Sequence, residues 1–252
     1  MEGGVGEKLL FCFHGYGNNC SLFEPFIPVL QNEYRIIAID LPFHHKTHWR
    51  QSKISPDELM QFIRHMMHQY GASSFDVIGY SIGGRLCLCL LQYYPQLVRR
   101  CILLASDGLV PNKAYELLTR TGAGIGLFKS FAKHTVYLRF IKWIHAAGML
   151  PEKKYRFVMN HVHDKRSRLL LYKRWVSLSD FIPNFQLIQS GAAQHAISVE
   201  IFMGKYDTII PLRNAHQFMK YVPQASLHVL SKGHRLIDNN TILQVAKIVS
   251  AS

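Results

Sequence analysis

The sequence predicts an α/β fold: a mostly parallel sheet of about six strands flanked by helices, with a helical lid inserted into it. Three observations point there. Short apolar runs alternate with longer helical patterns, as in a parallel sheet whose crossovers are helices. That alternation stops between Ala105 and Val199, for more than ninety residues whose pattern is helical. The 252 residues, 48% hydrophobic and 18% charged, suffice for one large core plus a small insertion.

The apolar runs Lys8–Phe13, Arg35–Ile39, Phe75–Ile78, Cys101–Ala105, Val199–Met203 and Ser226–Leu230 are the expected strands. A helix is expected from Ser55, with Ser55 as N-cap, Pro56 at the first helical position and Glu58 closing a capping box. Ser21 and Glu24 offer a similar box ahead of Phe26 and Ile27. The segment after Ser81 is apolar nearly all round (Leu86 to Leu91), so its helix is expected to be buried until Pro95 ends it. In the long insertion, Val136, Phe140, Trp143, Ile144 and Ala147 recur at helical spacing. Gly122, Gly124 and Gly126, then Gly148 with Pro151, interrupt the pattern. The expected organisation is therefore a core of residues 1–107 and 191–252, with residues 108–190 as the lid. The aromatic and Met side chains of that insertion (Phe128, Phe131, Trp143, Met149, Phe157, Met159, Trp175) are expected to pack it onto the core and in part to line a pocket.

The N-terminus, Met1-Glu2-Gly3-Gly4-Val5-Gly6-Glu7, lacks the basic start and apolar stretch of a signal peptide, and no apolar run is long enough to span a membrane. The cysteines are five, and Cys12, Cys87, Cys89 and Cys101 lie inside apolar runs, which reads as buried thiols in a reducing compartment. A cytoplasmic location is the expectation. The net charge of +13 is unevenly spread: Gly108 to Phe185 holds 14 Lys and Arg against 4 acids, the remainder 15 against 12. No nucleic-acid-binding motif accompanies the excess, so nucleic acid is not an expected partner.

Gly79-Tyr80-Ser81-Ile82-Gly83 follows an expected strand and opens a buried helix. A serine in so sharp a turn needs small neighbours, and the turn raises its Oγ above the sheet edge at a helix N-terminus. Asp207 follows the strand Val199–Met203, and His234 follows Ser226–Leu230, so all three sit past the C-terminal ends of parallel strands. Asp107, after Cys101–Ala105, is the rival acid. His14 reads as a hydrogen-bonding residue of its own turn. His44-His45 and His161-x-His163 bring no acidic or cysteine partner, so no metal is expected.

Over essentially its whole length the chain resembles the lidded α/β-hydrolase superfamily. The matching pieces are His14-Gly15-Tyr16-Gly17, Asp40-Leu41-Pro42, the Ser81 turn, Gly204…Asp207…Pro211 and Gly233-His234. The resemblance implies Ser81 as nucleophile, His234 as general base and Asp207 as the acid that orients it. It also implies an oxyanion hole from the backbone N–H groups of Tyr16 and Ile82, and no cofactor. Two departures stand out: no antiparallel hairpin precedes the strand at Lys8, and Phe43-His44-His45 replaces the family's Gly-His-Gly.

Ester-like acyl hydrolysis through an acyl-enzyme is the expected reaction, on a small-molecule acyl substrate. The run Gly79 to Arg85 is also similar to the menaquinone-pathway lyases of this fold, which makes Arg85, with Tyr80, a candidate substrate contact and C–C cleavage of an anionic substrate the alternative. A non-catalytic binder on the same fold is the alternative of another class. The basic insertion, with clusters Lys153-Lys154-Tyr155-Arg156 and Lys165-Arg166-Ser167-Arg168, points to an anionic substrate or weak contact with an anionic membrane surface.

Overall fold

All six apolar runs form strands, and a seventh, β1 (Glu2–Gly3), precedes them. They are β2 (Lys8–Phe13), β3 (Tyr34–Ile39), β4 (Phe75–Tyr80), β5 (Val98–Leu104), β6 (Ser198–Gly204) and β7 (Ser226–Leu230). In this computed structural model, which describes residues 1–47, 49–149 and 152–250, the described sheet runs β1-β3-β2-β4-β5-β6-β7. The side chains of Lys153, Lys154, Phe157 and His161 lie outside the described set, as does Pro151. Every pairing is parallel except β1 on β3, where Glu2 faces Ile37. The antiparallel element expected to be missing before Lys8 is thus present in short form: Glu2 and Gly3 complete two rungs before Gly4 turns the chain away at φ 82°.

The helices are α1 (Ile27–Leu30), α2 (Pro56–Gln69), α3 (Ile82–Tyr93), α4 (Lys113–Arg120), α5 (Gly122–Lys133), α6 (Val136–Ala146), α7 (Glu152–Val162), α8 (Lys165–Ser177), α9 (Phe185–Gln194), α10 (Arg213–Met219) and α11 (Asn239–Ser250). The entry to α2 forms as its sequence requires. Ser55 Oγ accepts from the Glu58 N–H at 3.1 Å while the Ser55 N–H donates to Glu58 at 2.8 Å. The Ser21–Glu24 box does not form. Asn19, two residues earlier, accepts the Ser21 N–H and caps a 3₁₀ segment, Cys20–Phe26, that runs into α1. Every residue of α3 from Ile82 to Leu91 is buried. All five cysteines are free thiols, and burial pushes Cys12 and Cys87 well above the ordinary thiol range. No described helix is long and apolar enough to cross a membrane.

The chain divides into two compact units. The first comprises Met1–Thr47, Ser55–Pro111 and Phe181–Ser252 and holds the sheet. Its core is built from strand side chains such as Leu10, Ile36, Ile78, Ile102 and Phe202, with Ile242, Val245 and Val249 of α11. At the N-terminal edge of the sheet Asp76 is wholly buried; it accepts from Tyr34 Oη at 2.6 Å and from Arg99 Nε and Nη2 at 2.9 and 2.8 Å.

The second unit comprises Asn112–Asp180 with His48–Ile54, so it is shorter at its C-terminal end than the 108–190 expected, and α9 belongs to the first unit. The small 48–54 piece is held by the Ile54 N–H on Ser177 O at 2.9 Å and by Lys53 on Asp180 at 3.0 Å. Phe128 anchors this unit's interior, with Phe131, Tyr172 and Trp175 around it, and Tyr115 donates to Trp175 O at 2.9 Å. The packing expected of all its aromatic and Met side chains fails at Trp143 and Met149, which are 59% and 61% exposed.

Candidate active site

Ser81 is the N-cap of α3, directly after β4, with φ 53° and ψ −119°. That conformation is costly for any residue with a Cβ, on the order of 1–3 kcal/mol. Three backbone bonds hold it: the Ser81 N–H donates to Leu104 O at 2.9 Å, and Ser81 O accepts from the Gly84 and Asp107 N–H groups at 3.0 and 2.9 Å. The flanking glycines have a steric reason. A Cβ on Gly79 would sit 2.5 Å from Gly84 Cα, and one on Gly83 only 2.0 Å from Phe13 O. The turn closes only with hydrogen at both positions, so Gly-x-Ser-x-Gly is here a packing requirement.

The structure brings Ser81, His234 and Asp207 together. Ser81 Oγ donates to His234 Nε2 at 3.1 Å, and His234 Nδ1–H donates to Asp207 Oδ2 at 2.8 Å. The Asp207 side chain is fully buried. Its second oxygen accepts the N–H groups of Ile209 and Ile210 at 2.8 and 2.9 Å, so the carboxylate is held from both ends without a cation. The loops that carry it and the histidine are tied to each other, with the Lys205 N–H on Leu230 O and the Tyr206 N–H on Lys232 O. A Cβ on Gly204 would lie 2.2 Å from Gly233 O, which explains both glycines of that pair of loops.

Asp107, the rival acid, is engaged elsewhere. Its carboxylate receives Arg85 Nη2 and the Gly108 N–H, the latter at 2.7 Å. Arg85 itself is 3% exposed, so the side chain expected at the substrate is tied to Asp107 on the first turns of α3. Tyr80, also expected at the substrate, is buried; its hydroxyl donates to the His234 carbonyl at 3.1 Å and its ring lies 5.4 Å from the imidazole. Burial, with the Asp207 carboxylate nearby, pushes the Tyr80 phenol up to about 12, so it stays a donor. Tyr80 thus braces the histidine loop, a role without any signature in the sequence.

The turn bearing Tyr16 is braced from below. His14 is wholly buried, donating from Nδ1 to Gly15 O at 2.8 Å and accepting the Leu41 N–H on Nε2 at 3.0 Å. His44, missed by sequence reasoning, packs its ring against His14 and Tyr16 and donates to Pro42 O. His45 points the other way, onto Asp40 at 3.2 Å, so the two histidines diverge. Burial opposes ionisation of Asp40, but the Cys20 N–H and His45 outweigh it and hold that carboxyl below its ordinary range. Ile82, the other expected oxyanion donor, is the first residue of α3, where backbone N–H groups have no intrahelical acceptor.

A sequence profile of the α/β-hydrolase fold matches residues 8–144, more than half the chain. The chain belongs to the α/β-hydrolase family. Among curated relatives, a serine hydrolase-like protein of Danio rerio is 28% identical over 46% of this chain and 36% of its own length. The hydrolase YugF of Bacillus subtilis is 26% identical over 64% of this chain and 54% of its own. This chain therefore spans about a third to a half of the relatives it matches first. A 2-hydroxy-6-oxononadienedioate hydrolase of a Pseudomonas species is 22% identical over 92% of this chain and 83% of its own. The crystal structure of a hydrolase from Pseudomonas aeruginosa covers the whole chain and 93% of its own at TM-score 0.67 and 15% identity. MenH from S. aureus covers the whole chain and 95% of its own at TM-score 0.64 and 17% identity, which shows a shared fold.

Proposed function

We propose that this protein is a serine hydrolase that cleaves ester-like acyl bonds through an acyl-enzyme. The observation that carries the reading is the unbroken relay from Ser81 Oγ through His234 to a buried Asp207. As Ser81 attacks an acyl carbonyl, His234 Nε2 takes its proton and becomes an imidazolium. Asp207 holds Nδ1–H and stabilises that charge, which is why a carboxylate with no cationic partner fits the position. The oxyanion is received by the Tyr16 and Ile82 N–H groups. His234 then returns the proton to the leaving group, and water, activated by the same histidine, releases the acid. The relay needs neither metal nor cofactor.

The substrate we infer is a small molecule carrying negative charge. The basic excess of Gly108–Phe185 supports this, as does the dienedioate for which the Pseudomonas relative is named. C–C cleavage of such an anion is the second reading, on the similarity of Gly79 to Arg85 to the menaquinone-pathway lyases. Arg85, committed to Asp107, lends it no support. One experiment tests both parts. Turnover of a neutral and a carboxylate-bearing chromogenic ester of equal length is followed in wild type and Ser81→Ala. Wild type is expected to turn over both and the variant neither. The anionic ester alone is expected to slow as salt shortens the screening length from about 30 Å to about 10 Å. Turnover that survives in Ser81→Ala would overturn the mechanism, and equal salt dependence would overturn the charge preference.

A further inference from the structure

We propose that the outward face of α6 is a docking surface for an anionic lipid bilayer. Of the residues that recur at helical spacing along α6, Ile144 is half-buried, while Val136, Phe140, Trp143 and Ala147 all face solvent. Val136, Phe140 and Trp143 are 60%, 58% and 59% exposed. The helix has not frayed into that position. Its opposite side is anchored in the second unit, by Tyr137 on Phe131 and Ser130 and by His145 stacked on Tyr155 at 3.9 Å and bonded to Glu152. The Phe140 and Trp143 rings stack at 5.9 Å, forming one continuous aromatic surface. Exposed apolar surface of this extent, held in a fixed place, marks an interaction site.

The charges around the stripe identify its occupant. Arg139 and Lys142 flank it on α6, and Lys129 and Lys133 are exposed on the preceding helix, where Leu127 is exposed as well. From Leu117 to Pro151 the chain contains no Asp or Glu. A second copy of the same face would set Arg139 and Lys142 against their own kind, which electrostatics disfavours. The occupant must be apolar within and anionic at its border. An anionic bilayer surface meets both demands. Trp and Phe favour the depth just below the headgroups, and Lys and Arg reach the phosphates while their stems lie on the acyl boundary. Its test does not depend on catalysis at Ser81.

Flotation of the full chain with vesicles of phosphatidylcholine plus phosphatidylglycerol, and with phosphatidylcholine alone, tests it. Wild type is expected to float with the anionic vesicles, with a blue shift of tryptophan emission, and to be released by salt. The double variant Phe140→Ser/Trp143→Ser is expected to lose about tenfold or more in bound fraction, since it removes the inserted rings. Arg139→Glu/Lys142→Glu is expected to lose binding to the anionic vesicles only. All these side chains are exposed, so both variants are expected to keep the wild-type circular dichroism and melting temperature. Wild type that stays unbound, or variants that float as well as wild type, would overturn the proposal. A wild-type dimer in sedimentation velocity that becomes monomeric in Phe140→Ser/Trp143→Ser, without vesicle binding, would assign the face to a second copy and overturn it equally.

Discussion

Asp76 and Asp207 are both buried carboxylates, at opposite ends of the strands of one parallel sheet, and they are answered in opposite ways. Asp76, at the start of β4, is met by the guanidinium of Arg99 and the hydroxyl of Tyr34, with Arg100 Nη1 3.9 Å away. Its charge is spent inside the fold. Asp207, past the end of β6, is met by two backbone N–H groups and one imidazole, with no arginine or lysine on it. Its charge is held in place and kept available. A buried carboxylate that is neutralised by arginine stabilises the fold; one that is fixed by backbone N–H groups can answer a cation that forms during a reaction.

Isosteric amides separate the two carboxylates. Asp207→Asn is expected to lower kcat by about 10⁴-fold, because an amide no longer fixes the His234 tautomer, while the melting temperature changes little. Asp107→Asn is expected to cost far less in kcat, since its partner is Arg85 and not His234. Steady-state kinetics on one ester compares all three proteins, and a larger loss in Asp107→Asn would transfer the acid's role to the neighbouring strand. Asp76→Asn is expected to do the reverse. It leaves Arg99 and Arg100 without their carboxylate at a cost of about 2–4 kcal/mol, read as a lower denaturation midpoint, with kcat of the folded enzyme unchanged. The contrast sharpens at Tyr80. Tyr80→Phe is expected to cost about 1 kcal/mol of stability and to lower kcat severalfold, because its bond to the His234 carbonyl braces the loop and touches no reacting atom.

The strands were legible because each is an apolar run between turn residues, and β2, β6 and β7 fall within a residue of where the pattern puts them. The pattern misplaced the start of β5. Arg99 and Arg100 look like loop residues, yet the strand begins at Val98 because Asp76 and Tyr34 wait across the sheet for their charges. The residues of the candidate site were legible from the serine turn and from the positions of Asp207 and His234 after successive strands. The commitment of Arg85 to Asp107, the brace from Tyr80 and the packing of His44 were not, since each pairs residues distant in sequence. The α6 stripe was legible as a periodicity, but the packing expected of its Trp143 does not occur: helical spacing says which side is apolar and nothing about what covers it.

If Ser81 is an activated nucleophile, a fluorophosphonate should label it. Peptide mass spectrometry of the labelled wild-type protein is expected to find the adduct on Ser81 alone. His234→Ala, folded by circular dichroism, is expected to label slower by orders of magnitude, because no base then takes the Ser81 proton. Folded wild-type protein that stays unlabelled, or an adduct on a different serine, would contradict the account.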